Sequence, residues 1–112
     1  MNKGRGEQKI LLEGIEYIAR PTHQAMAEIE ANLDVGLIKL AAKCVKMELT
    51  VIEMAHVIYA CVKAVLKPAS DASMPWTIGE LQKIMYRQGI MNFLDPSNAL
   101  VMVMVSGETT GS

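Results

Sequence analysis

Aromatic residues are few: one Trp, three Tyr and one Phe make up 4% of the 112 residues. A core with so few rings is aliphatic and flexible, which suits helix packing better than an aromatic-rich β-sandwich. Cysteine is scarce as well. Cys44 and Cys61 lack C-x-x-C spacing and lie in apolar stretches, which excludes a zinc framework or a disulfide scaffold and makes both reduced core thiols. Neither charge dominates, because 11 Lys+Arg against 12 Asp+Glu leave a net charge of −1. A bulk electrostatic attraction to nucleic acid or to an anionic membrane is therefore missing. No apolar run reaches membrane length either. The most apolar window, Val51–Leu66, is broken by Glu53, His56 and Lys63 and falls short of the roughly 20 apolar residues that span a bilayer. The basic start, Met1 to Gly6, is not followed by the apolar stretch of a secretory signal. The expectation is a soluble, cytoplasmic protein with no membrane partner.

What is present is apolar and methionine-rich, with 51% hydrophobic residues, 21% charged residues and 9 Met. That is the composition of a globular chain, and its length suits a single domain over 1–112. Residues 8–19 read as a β-hairpin, in which Glu13-Gly14 forms the turn and the glycine supplies a positive φ. In that register Leu12 faces Ile15 and Ile10 faces Tyr17 on one apolar side, with Lys9 and Glu16 on the other. Residues 22–67 read as helices. Thr22 caps the first, which turns Ala25, Met26, Ile29 and Leu33 inward. A break at 32–36 follows. Asp34 is placed there to cap a short helix over 37–47, with Leu37, Leu40, Ala41 and Cys44 on one side.

Two further helices open with capping boxes, Thr50 with Glu53 and Thr77 with Glu80, each beside an apolar staple pair, Leu49/Met54 and Trp76/Leu81. Residues 68–76 form the small-residue connection between them. Asp95-Pro96 reads as the cap of a last helix, although the Val/Met run over 100–105 is also compatible with a buried strand. The C-terminal helices thus occupy 77–106, and 107–112 is a polar tail. The predicted fold is mainly α: an N-terminal β-hairpin followed by a four- to five-helix bundle.

No catalytic signature occurs. G-x-S-x-G, H-E-x-x-H and a P-loop are missing, and Gly4-Arg5-Gly6 lacks the third glycine and preceding strand of a dinucleotide fingerprint. His23 lies beside a helix start. His56 and Cys61 share a helix but point to different faces, so they form no nucleophile pair. The reading is a non-enzyme with no metal and no cofactor. Lys39, Lys43 and Lys46 recur at helical spacing as one basic stripe, either a contact for an acidic partner or a solvated face. Three lysines neutralise only about three phosphates. A helix-turn-helix also fits badly, because 100–105 offers no polar side chains for base edges. Nucleic acid is not an expected partner.

The anomaly is a surplus of apolar helix surface. Val51–Leu66 and 100–105 are apolar nearly all round, and such helices are buried on most sides. A domain this small has room for one of them at its centre. Either the two enclose each other, or part of their surface meets another chain. The second alternative predicts a homo-oligomer, with Ile52, Tyr59, Val101 and Val103 as candidate interface residues.

Several of these features also follow one another in a known order. They are the hairpin Leu12-Glu13-Gly14-Ile15-Glu16-Tyr17 and the segment Ala27-Glu28-Ile29-Glu30-Ala31 before the Asp34-Val35-Gly36 break. The helix starts at Leu49-Thr50 and Thr77-Ile78-Gly79-Glu80-Leu81 come next, then the stretch from Leu100 to Gly107. In order and spacing these resemble the small tail-assembly proteins of long-tailed phages and gene transfer agents, the gene-transfer-agent tail assembly chaperones. The resemblance implies a non-enzymatic chaperone made in the infected or lysogenic bacterial cell. Such a protein oligomerises, binds the tape-measure protein and other tail proteins, and is absent from the finished tail. Flexible thioethers on Met-rich helices suit repacking against varied apolar helices. The alternative is a structural tail component, a tube or junction subunit, against which the single hairpin counts because a tube subunit is expected to carry a larger sheet. A small helical nucleic-acid-binding regulator acting through Lys39, Lys43 and Lys46 stands third.

Overall fold

A computed structural model describes residues 6–107. β1 (Gln8–Leu12) and β2 (Ile15–Ala19) form an antiparallel hairpin. Five helices follow: α1 (His23–Leu33), α2 (Leu37–Val45), α3 (Val51–Leu66), α4 (Ile78–Gln88) and α5 (Leu94–Ser106). Short 3-10 turns lie at Asp71–Ser73 and Ile90–Phe93. The fold is mainly helical with an N-terminal hairpin, as the sequence predicts, and 100–105 is helix rather than strand. Of the polar tail, only Gly107 lies within the described residues.

The hairpin takes the expected register, with Ile10 opposite Tyr17 and Leu12 opposite Ile15. Ile10, Leu12 and Ala19 are buried, but the tip departs from the pattern because Ile15 is 56% exposed. Glu13 (φ 51°) and Gly14 (φ 82°) both turn through positive φ. That pair of conformations matches the strand twist across a two-residue turn. Gln88 on α4 fastens the tip: its amide nitrogen donates to the Leu11 carbonyl at 2.9 Å, and its amide oxygen accepts from the Glu13 N–H. Arg87 pairs with the Glu13 carboxylate beside it.

Threonine side chains set three helix starts. Thr22 Oγ1 accepts from the Ala25 N–H at 3.1 Å. Both capping boxes are formed, with Thr50 and Thr77 accepting from the N–H of Glu53 and Glu80 at 3.1 Å and the two glutamates accepting in return at 2.8 Å. Two expected caps are corrected. Asp34 takes a left-handed conformation (φ 53°, ψ 43°) and ends α1 instead of starting α2. Gly36 is the N-cap of α2, and Glu30 Oε2 reaches over from α1 to accept from the Leu37 N–H at 2.9 Å. Asp95 is likewise inside α5 and not its cap, because the turn Ile90–Phe93 runs directly into the helix at Leu94. Pro96 is tolerated there because N–H groups in a first turn have no intrahelical partner to lose. α2 also stops at Val45, short of the predicted 47, and Met47 has a positive φ of 58°.

The core is built around α3, against which α1, β2, α4 and α5 all pack. Trp76 stands edge-on to Tyr17 at 5.5 Å and to Tyr59 at 5.8 Å between ring centres, bringing the 68–76 connection into the same core. Edge-to-face pairs of this kind add about 0.5–1.5 kcal/mol beyond their buried area.

The caps yield a ranked expectation. Thr50→Ala and Thr77→Ala each cost about 1 kcal/mol, the usual value for an N-cap residue. Thr22 is only 1% exposed. Thr22→Ala therefore strands a buried N–H and costs about 1–3 kcal/mol. Urea unfolding of the three variants checks both the sizes and their order.

Candidate functional site

The four residues expected at an interface divide between surface and core. Ile52, in the first turn of α3, is 53% exposed. Tyr59 and Val101 are corrected to the interior of the subunit. Tyr59 packs on Trp76 and its hydroxyl donates to Asp71 Oδ1 at 3.3 Å, while Val101 has no exposed surface. Val103 is half-buried beneath Gly6, where an added Cβ would fall 2.7 Å from the Val103 methyls. The reason is that α1, β2, α4 and α5 all pack on α3, while α5 packs on α2 as well. Both apolar helices are covered by other elements of the same chain, so most of the surplus seen in the sequence is used inside one subunit.

The basic stripe is not continuous either. Lys43 Nζ lies 2.6 Å from Glu53 Oε2, whereas Lys39 and Lys46 are exposed and without an ion-pair partner among the described residues. Burial pushes the Glu53 carboxyl up, but the hydrogen bonds from Lys43 and the Thr50 N–H outweigh it and hold its pKa below the ordinary value. Lys63 sits between Asp71 at 2.8 Å and Glu28 at 3.4 Å, tying α1 and the 68–76 connection to α3.

Burial pushes the Cys44 thiol up to about 11, with the Glu53 charge adding to it, and pushes Cys61 up further. Thiols held so firmly protonated are packing groups rather than nucleophiles. His56 is half-buried, and desolvation lowers its pKa. A groove of about 410 Å³ runs between α1 and the end of α3, but its wall carries the Glu28–Lys63 pair and neither a thiol nor an imidazole.

Two elements keep apolar side chains uncovered. On α2, Leu40 and Cys44 are buried while Ile38 and Val45 are 82% and 74% exposed. At about 100° per residue, the apolar side chains of α2 sweep a far wider arc than the core covers. On the hairpin, Leu11 on the outer side and Ile15 at the tip of the inner side are 58% and 56% exposed. Reading only Leu37, Leu40, Ala41 and Cys44 as the working side of α2 misses the first of these. The signal for it is Ile38, Ala42 and Val45, a second apolar stripe at helical spacing beside the first.

The model of the family described as phage tail tube protein, GTA-gp10, matches residues 5–107, nearly the whole chain. The chain belongs to that family. No curated protein and no solved structure matches it. Family membership places the chain among the tail proteins of phages and gene transfer agents, and implies other tail proteins and further copies of itself as partners. The assembly-chaperone expectation is overturned, because the family is one of tube proteins, a structural component of the tail. A tail tube is part of the particle, so the expected absence from the finished tail goes with it. Met54, Met74, Met85 and Met104 are core residues, whereas Met47, Met91 and Met102 are exposed. Among the described residues, no helix is long and apolar enough to cross a membrane.

Two expectations follow. A carboxylate at Tyr59 or Val101 would be buried without a partner, so Tyr59→Glu and Val101→Glu unfold the subunit at a cost of several kcal/mol. Ile52→Glu leaves the melting curve within about 0.5 kcal/mol of the parent, the usual range for a surface change. Acidification should weaken the fold in two stages. His56 is depressed, so the native state resists its proton and stability falls as pH drops below the ordinary 6.5. Glu53 is depressed too, and its contribution, full above 4.5, is lost as pH falls further. Urea midpoints measured from neutral pH downward should lose the first stage in His56→Gln and the second in Glu53→Gln.

Proposed function

We propose that the protein is a non-enzymatic structural subunit of a phage or gene-transfer-agent tail tube, made in the bacterial host cell and built into the particle in many copies. The observation that carries this reading is the tube-protein family model matching 5–107. The shape of the subunit supports it. Its core is complete within one chain, and its uncovered apolar surface lies on two separate elements, as suits a part that meets identical neighbours. The firmly protonated, buried thiols support the non-enzymatic half of the reading. Its partners are further copies of itself and other tail proteins, a tape-measure protein among them. A nucleic-acid regulator loses ground because Lys43 is engaged by Glu53.

Particles purified from producing cells test the reading. Quantitative mass spectrometry should find the chain in washed particles at many copies per tail, and antibody labelling should decorate the tail along its length. A chain abundant in the producing cells but missing from washed particles overturns it.

A further inference from the structure

One half-buried amide, that of Asn98 on α5, ends on a sulfur. Its nitrogen donates to Met47 Sδ at 3.4 Å, while its oxygen is buried without a partner among the described residues. A thioether is a weak acceptor, so the amide gains little for the ordering it undergoes. Met47 is 55% exposed and lies in the turn between α2 and α3. Its backbone is held in place: φ is left-handed at 58°, its own N–H donates to the Cys44 carbonyl at 3.0 Å, and the Glu48 N–H donates to the Lys43 carbonyl at 2.8 Å. The exposed sulfur is thereby kept against α5, 51 residues further along the chain.

From this contact we infer that Met47 is an oxidation site whose sulfoxide is held by Asn98, so that a peroxide tightens the joint between the α2–α3 turn and α5. The oxidant is a hydroperoxide. The sulfur lone pair takes one oxygen of hydrogen peroxide as the O–O bond breaks. The departing hydroxide then collects the proton of the S–OH group, leaving a sulfoxide and water. Sulfur gives up two electrons and the peroxide accepts them. The product sets a polar oxygen in place of an apolar thioether, beside a donor already in position. Solvent access confines the reaction to few places. The thiols of Cys44 and Cys61 are buried, and Met54, Met74, Met85 and Met104 belong to the core. Met91 and Met102 are exposed too, at 75% and 40%, but no hydrogen bond reaches their sulfurs among the described residues. Oxidation at those two sites gives an oxygen that water alone receives, whereas at Met47 the fold itself holds the product. The inference needs no second copy and does not rest on the tube-subunit reading.

Dilute hydrogen peroxide on the full chain carrying Met91→Leu and Met102→Leu tests it, with peptide mass spectrometry to measure sulfoxide at Met47 and urea unfolding before and after. Met47 should be oxidised well ahead of Met54 and Met85. Oxidation should shift the folding equilibrium toward the native state by about two- to tenfold, the net effect of one ordinary hydrogen bond. Met47→Leu in the same background, treated alike, should show no gain. Asn98→Leu should also remove the gain while leaving Met47 as easily oxidised. A further readout uses the parent chain: in its amide NMR spectrum, one Asn98 side-chain proton should move downfield on oxidation as it exchanges sulfur for oxygen. An oxidised chain no more stable than the reduced one overturns the inference. So does a gain that survives Asn98→Leu, an Asn98 signal that stays where it was, or a Met47 that reacts no faster than the core methionines.

Discussion

A helix that is apolar on nearly every side must be covered on every side, and α3 meets that demand by drawing α1, β2, α4 and α5 around itself. Leaving any of those partners off would expose a row of residues such as Val57, Ile58, Cys61 and Val62, all without exposed surface in the fold. Each such side chain is worth about 1.5–3 kcal/mol when fully buried. The hairpin follows from the same demand. Two strands alone are barely stable in water, but Ile10, Leu12 and Ala19 are buried in the fold, β2 against α3 and β1 against α4 and α5.

The few polar groups of α3 are placed where they cost least. Glu53 belongs to the first turn, where it completes a capping box, favours the positive end of the helix dipole and holds Lys43. Lys63 lies near the other end and reaches Asp71 and Glu28 with its charge. These ion pairs do more than neutralise charge. Each connects α3 to another element of the fold, so the polar ends of the central helix orient what its apolar middle attracts.

What could be read from the residues was whatever the residues decide locally. The hairpin follows from alternation around Glu13-Gly14, and the Thr50 and Thr77 helix starts follow from a threonine and a glutamate three residues apart. Asp34 and Asp95 misled because a good capping residue is not the same as the cap used. Glu30 supplies the acceptor for α2 from seven residues away, and the turn before α5 makes a side-chain cap unnecessary. Tyr59 and Val101 misled for a different reason. A segment apolar all round has no periodicity to separate an inner side from an outer one, so only the neighbours can decide. The choice between chaperone and tube component was harder still, since both roles ask a chain for the same apolar surplus.

The clamp on the hairpin has a consequence for timing during synthesis. Gln88 holds both Leu11 and Glu13, contacts that span 77 and 75 residues of sequence. At about 5–20 residues per second, the ribosome delivers Gln88 roughly 4–15 s after Glu13. A lone hairpin is poorly stable over that interval, so its tip takes a fixed position only once α4 exists to receive it. The first element made is thus among the last to be fixed, when nearly the whole subunit has been synthesised.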